Sequence, residues 1–255
     1  MKRPFLLSIV AAAVILFAIA SPAIAQTAKA TPSPSPSLTL DLGKGATSGS
    51  MPLQIVVLLT LLSFIPAILI SMTCFTRLIV VFHFLRQALG TQETPNNQVL
   101  LGLALFLTMF VMAPVATRIN REALEPLSAG QITQGEALTR GLVPLRAYML
   151  KHTRERDLGL FVQLSGGPRP QTAEDVATTA LVPAYMISEL KTAFQIGFVL
   201  FIPFLVIDMA VSSVLLSMGM MQLPPVVVSM PLKLLLFVMV DGWYLIVGSL
   251  IKSVI

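Results

Sequence analysis

A run of 25 residues without a charge, Pro52 to Thr76, sets the first limit on what this chain can fold into. A helix rising 1.5 Å per residue needs about 20 predominantly apolar residues to cross a bilayer. Thr94 to Thr117 supplies 24 more uncharged residues, and Thr192 to Ile251 a region of 60 interrupted only by Asp208, Lys233 and Asp241. Charged residues are 11% of the 255, against about 25% in an ordinary soluble domain, so they cannot coat a globule of this size. The chain is therefore read as an integral membrane protein. No alternating strand pattern accompanies the apolar runs, which counts against a membrane β-barrel. The spacing predicts an all-α protein with four helical spans in two long hairpins, the second turning at Gln222-Leu223-Pro224-Pro225.

Residues 1–25 have the build of a cleavable signal peptide. Lys2 and Arg3 form a basic start, Leu6 to Ala20 an apolar segment, and Ala23-Ile24-Ala25 a small-x-small cleavage site. The alternative, an uncleaved first span, fits less well because the apolar run is short and Ser21-Pro22 breaks it. Removing Lys2 and Arg3 from the 17 basic residues leaves 15 against 12 acidic, a net charge of +3, and no case for nucleic-acid binding. Residues 26–50 are rich in Ala, Thr, Ser and Pro, with Pro32, Pro34 and Pro36 alternating with serine, and read as a flexible linker. Gly43-Lys44-Gly45 lacks the spacing of a phosphate loop.

With the mature start outside, residues 51–117 form the first apolar hairpin and the Arg77–Glu93 connection lies inside, where Arg77 and Arg86 agree with the positive-inside rule. Residues 118–191 are then a small helical insertion on the periplasmic side. Its nine basic residues do not oppose this, since loops beyond about 60 residues translocate largely regardless of charge. Leu138, Leu142, Leu145 and Met149 make one helical stripe in it. Pro168-Arg169-Pro170 marks a turn, and Thr172 with Asp175 a capping box opening a further helix. Residues 192–255 are the second apolar hairpin.

A charge at mid-bilayer costs about 2.5–3.5 kcal/mol on insertion scales, so the charges inside the apolar runs need partners. In an antiparallel hairpin, residues at equal depth have position numbers of constant sum. Asp208 with Lys233 and Glu189 with Lys252 both sum to 441, and each pair carries opposite charges. Asp208 and Lys233 are expected to neutralise each other, across the hairpin or between neighbouring subunits, with Glu189–Lys252 a secondary pair. The 19 residues between the pairs correspond to a rotation of about 100° around each helix, so the two alignments are not equivalent. Asp241 has no partner at its depth. An ion pair that fixes helix register, a proton relay and an intersubunit contact all remain open as roles.

Met218-Gly219-Met220-Met221 occupies the tip of the same hairpin. Methionine is flexible and polarizable, so several copies meeting around an axis would form a soft apolar closure, while in a lone helix end they would simply pack. Cys74 alone excludes an internal disulfide and a cysteine-rich metal site, and His83 and His152 are too scattered for a histidine cluster. Neither a nucleophile–base pair nor a nucleotide loop is present, so no cofactor and no enzymatic role is expected.

Several longer stretches carry a family likeness. They are Met72-Thr73-Cys74-Phe75-Thr76-Arg77, Phe84 to Thr91, Asn97 to Thr108, Ser188 to Phe198, Pro203 to Asp208, Pro231 to Phe237 and Asp241-Gly242-Trp243. Over roughly Met51 to Ile255 the chain resembles the FliP family of flagellar type III export-gate proteins, which includes injectisome (virulence secretion) relatives. The signal and proline-rich linker match the flagellar branch, since injectisome members tend to be shorter. The resemblance implies a pentameric helical assembly with FliQ and FliR, associated with FlhA, FlhB and the basal-body ring, around a channel for unfolded export substrates. It also implies hairpins lifted largely to the periplasmic side of the inner membrane, and a methionine gasket at Met220 and Met221. The family's third gasket methionine is Gln222 here, which Met218 is placed to replace, and the family's Pro-Pro before Asn-Gln is Pro95-Asn96. An ion or solute transporter using Asp208, Lys233 and Asp241 is the reading from a different class.

Overall fold

The computed structural model describes residues 51–254 apart from 92–93, 167–169, 171, 173–174 and 221. The expected signal peptide and linker, Pro168 and Arg169 of the expected turn, and Met221 lie outside the described residues. Among the described residues all regular structure is helical. The helices are α1 (Met51–Ser71), α2 (Phe75–Ala88), α3 (Asn97–Ile119), which runs through a π-helical turn (Asn120–Leu124) into the short α4 (Glu125–Ser128), α5 (Gln134–His152), α6 (Glu155–Leu164), α7 (Thr178–Ser217), α8 (Pro225–Met239) and α9 (Gly242–Val254).

The helix boundaries follow local chemistry. Asn96 caps α3, its side chain accepting from the Gln98 amide at 3.4 Å. Thr133 and Glu136 form a reciprocal capping box at the start of α5. Thr172 and Asp175 are hydrogen-bonded as expected from sequence, but the helix that follows starts only at Thr178.

Residues 77–88 are helical and not a simple connection. Phe75, Leu78, Val81, Phe82, Leu85 and Ala88 recur at helical spacing, and all are buried. They make α2 the spine of two cores. The first gathers Leu78 and Phe82 with Leu100, Met149, Leu181, Tyr185 and Leu250, from α3, α5, α7 and α9. The second, smaller one joins Leu85, Ala88 and Leu89 to Phe204 and Phe237. Helices α2 and α7 run in the same direction, Arg77 meeting Glu189 while Leu85 reaches Phe204. Gly197 makes their close approach possible. A Cβ there would fall 2.5 Å from Phe84 Cδ2, and Phe84 also packs edge-to-face on Phe194 at 5.2 Å.

Helix α7 passes through the boundary expected between Lys191 and Thr192, so the insertion and the second hairpin share one 40-residue helix. At 1.5 Å per residue that is about 60 Å, twice a hydrocarbon core of about 30 Å. Two helical stretches among the described residues, Asn97–Ser128 and Thr178–Ser217, are long and apolar enough to cross a membrane, or three spans if the bent pair α8–α9 counts as one. The break between α8 and α9 is a 66° bend at Asp241. Asp241 has φ 52°, a left-handed conformation that aspartate tolerates better than most residues. Gly242 follows because a Cβ at that position would meet the Phe237 ring at 2.2 Å.

Candidate functional site: charge clamps and a methionine tip

Each end of α2 is held by a buried charge. At its start Arg77 is buried, and its guanidinium grips Glu189 of α7 bidentately, Nε donating to Oε2 at 2.8 Å and Nη2 to Oε1. Nη1 donates to the Ser253 carbonyl of α9 at 2.7 Å. One side chain thus ties three helices, with the planar fork matching a carboxylate as lysine could not. Ser188, beside Glu189, continues the polar seam. Its hydroxyl donates to Asp157 at 2.9 Å and accepts from the Arg154 amide at 3.0 Å, and Arg154 reaches on to Gln195.

At the other end, Lys233 of α8 is buried, and its Nζ donates to Asp208 Oδ2 at 2.6 Å and to the Ala88 carbonyl at 3.1 Å. Ala88 closes α2, where carbonyls have no intrahelical donor, so the ammonium caps that helix as well as neutralising Asp208. The Ser229 hydroxyl donates to the other oxygen of Asp208. The pair forms within one chain.

The second expected pair does not form. Glu189 is bonded to Arg77, and Lys252 is exposed. Ser253, the neighbour of Lys252, lies at that depth, and its carbonyl accepts from Arg77 beside Glu189. Equal depth does not fix the direction around a helix, however, and Lys252 points away. Asp241 is also exposed in the chain, not a buried charge, and sits at the bend. Arg77 was the residue missed. It lies in a stretch read as a connection, although the period of Phe75, Leu78, Phe82 and Leu85 already marks a helix with an arginine beside its buried face.

The methionine tip is shaped by its backbone. Gly219 is left-handed at φ 74°, the Met220 amide bonds the Leu215 carbonyl at 3.0 Å and the Gly219 amide bonds Leu216 at 3.1 Å, a Schellman stop for α7. Pro225 then opens α8 at a position that needs no amide donor. Met218 and Met220 are 67% and 40% exposed. Below the tip, Phe198, Ile202, Val206 and Met209 on α7 and Leu235, Val238 and Met239 on α8 are exposed as well. Apolar surface this continuous marks a face covered by lipid or by other chains.

Elsewhere, His152 at the end of α5 is lowered to about 4, chiefly by burial and then by the positive charge of Arg77 and Lys151. No group of three or more His, Cys, Asp and Glu side chains among the described residues could hold a metal ion. Cys74 is free and buried in the first core.

The fold and its clamps define an all-α membrane protein, with one apolar hairpin left uncovered by the chain itself. Comparison with known proteins narrows that class. The model of the FliP family matches residues 58–250. The flagellar biosynthetic protein FliP of Bacillus subtilis (strain 168) is 56% identical over 204 residues, covering 80% of this chain and 92% of that protein. The protein of the same name from Pectobacterium carotovorum subsp. carotovorum is 54% identical over 209 residues, 82% of this chain and 81% of that one. That from Aquifex aeolicus (strain VF5) is 45% identical over 203 residues, 79% and 85% of the two chains. The chain belongs to the FliP family, which is not an enzyme family, and the relatives it matches are flagellar biosynthetic proteins.

Proposed function

We propose that this chain is a channel-forming subunit of the flagellar type III protein export gate in the bacterial inner membrane. Copies of the chain associate, as a pentamer on the family resemblance, and join FliQ and FliR, with FlhA, FlhB and the basal-body ring as further neighbours. Much of the assembly lies toward the periplasm. Unfolded flagellar proteins pass along its axis, and Met218, Met220 and Met221 close the passage when it is empty. The observation that carries this reading is the exposed apolar hairpin ending in methionines on a backbone set by Gly219 and Pro225. Methionine side chains yield to a passing segment and repack behind it. Energy comes from other components.

The charge clamps have a structural part in this reading. Both oxygens of Asp208 are engaged and Lys233 is committed to Asp208 and Ala88, an arrangement that holds helices in register. A solute transporter would have to break these bonds in each cycle.

The test is the native mass of the detergent-purified chain, alone and co-expressed with its FliQ-like and FliR-like neighbours. A defined oligomer that recruits both is expected. A monomer or dimer that ignores both would overturn the proposal. For the seal, Met220→Ala with Met221→Ala should raise ion conductance of the reconstituted assembly, and unchanged conductance would remove these residues from it.

A further inference from the structure

A cavity of about 380 Å³ lies between α3 and α5, with Val254 of α9 at its edge, and none of its lining residues belongs to the methionine tip. Val111, Pro114 and Val115 of α3 form apolar lining, and Ala147 of α5 lines it too. Beside these and the apolar Pro144 and Val254, the lining holds Arg118, Lys151, His152 and Tyr148. Arg118 forms no ion pair among the described residues. One buried polar atom of the lining residues, His152 Nε2, has no hydrogen-bond partner among the described residues, although such atoms are nearly always paired. Tyr148 itself is 9% exposed.

The cavity opens onto a helix that changes character at this level. Phe106, Phe110, Pro114 and Arg118 follow at intervals of four on the exposed side of α3, an apolar strip ending in a cation. This strip belongs to one of the two stretches long enough to cross a membrane, and Arg118 is the first charge after its apolar run. The ligand that matches an apolar strip leading into a cavity bearing two cations is an amphiphile with an anionic head. A free phosphate would use the cations but gain nothing from the strip.

We propose that this cavity binds the phosphate headgroup of an anionic phospholipid, with Arg118 and Lys151 facing the phosphate and an acyl chain lying along Pro114, Phe110 and Phe106. Basic pockets beside membrane helices select acidic headgroups, each cation contributing about 1 kcal/mol near the surface. The site is independent of the channel reading and would stand if that reading failed.

The full chain, delipidated in detergent, is titrated with phosphatidylglycerol or phosphatidylcholine and followed by native mass spectrometry. Phosphatidylglycerol should bind preferentially. Arg118→Gln with Lys151→Gln should weaken it about tenfold or more and leave phosphatidylcholine unchanged. Both positions are exposed, so the fold should tolerate the changes. Ala147→Trp, also at an exposed position, fills the cavity while keeping both cations, and should reduce phosphatidylglycerol binding as well. Equal binding of the two lipids, or a preference that survives in both variants, would overturn the proposal. Displacement of the lipid by millimolar glycerol 3-phosphate would also overturn it, by showing a site for soluble anions.

Discussion

The two ends of α2 are built from the same materials and finished differently. At the Arg77 end, arginine and glutamate are both buried, and five helices contribute apolar residues to the core around them. At the Ala88 end Lys233 is buried, but the Asp208 side chain keeps 26% of its exposure and the core around it is small. Beyond it the α7–α8 hairpin exposes most of its apolar side chains. The first end is complete within one chain. The second depends on what surrounds it. Helices in lipid have no hydrophobic reason to pack on each other, so a chain destined for a membrane or an assembly can leave that end open.

Removing one partner at the complete end should have the largest effect. Glu189→Leu leaves Arg77 charged and buried, and should cost about 3–5 kcal/mol in unfolding of the full chain in detergent. Adding Arg77→Met should return a large part of that loss. A double variant no more stable than Glu189→Leu alone would show that the charge was not the cause.

At the open end Asp208→Asn should cost less, about 1–3 kcal/mol, because Lys233 keeps the Ala88 carbonyl and the site retains some solvent. A loss larger than that of Glu189→Leu would invert the comparison. Exchanging the two charges should rescue only in part, since a carboxylate at position 233 would face the Ala88 carbonyl.

Between the two ends, Gly197→Ala sharpens the picture. Overpacking against Phe84 costs about 1–3 kcal/mol and better helix propensity returns about 1, so a net loss of roughly 0–2 kcal/mol is expected in thermal unfolding. Phe84→Leu in the same chain should reverse its sign.

The pH dependence belongs to His152. Its folded value of about 4 lies below the ordinary histidine value, so the unfolded chain takes the proton first as pH falls. Stability should therefore decline from about pH 6.5 toward pH 4 and be flat above that window. His152→Gln should flatten the melting temperature across it, and an unchanged pH dependence would assign the decline to other groups.

The helical class and the long apolar runs could be read directly, because charge-free length is a one-dimensional property. So could the meeting of Asp208 and Lys233, where numbers of constant sum mark equal depth. The same rule put Lys252 beside Glu189 and missed, since depth says nothing about direction around a helix. Only the fold shows that the Ser253 carbonyl faces inward while Lys252 faces out. The π-helical turn after α3 and the 66° bend at Asp241 had no readable signature either. The Asp241-Gly242 pair makes sense once the Phe237 ring is seen against the glycine.

The turn at Gly219 has one more consequence. A left-handed glycine stops one helix and a proline starts the next, so where the loop begins and ends is set by two residues other than its methionines. The side chains at 218, 220 and 222 are then released from any duty to shape the chain. Each of them can be exchanged without disturbing the glycine and the proline that fix the two helix ends.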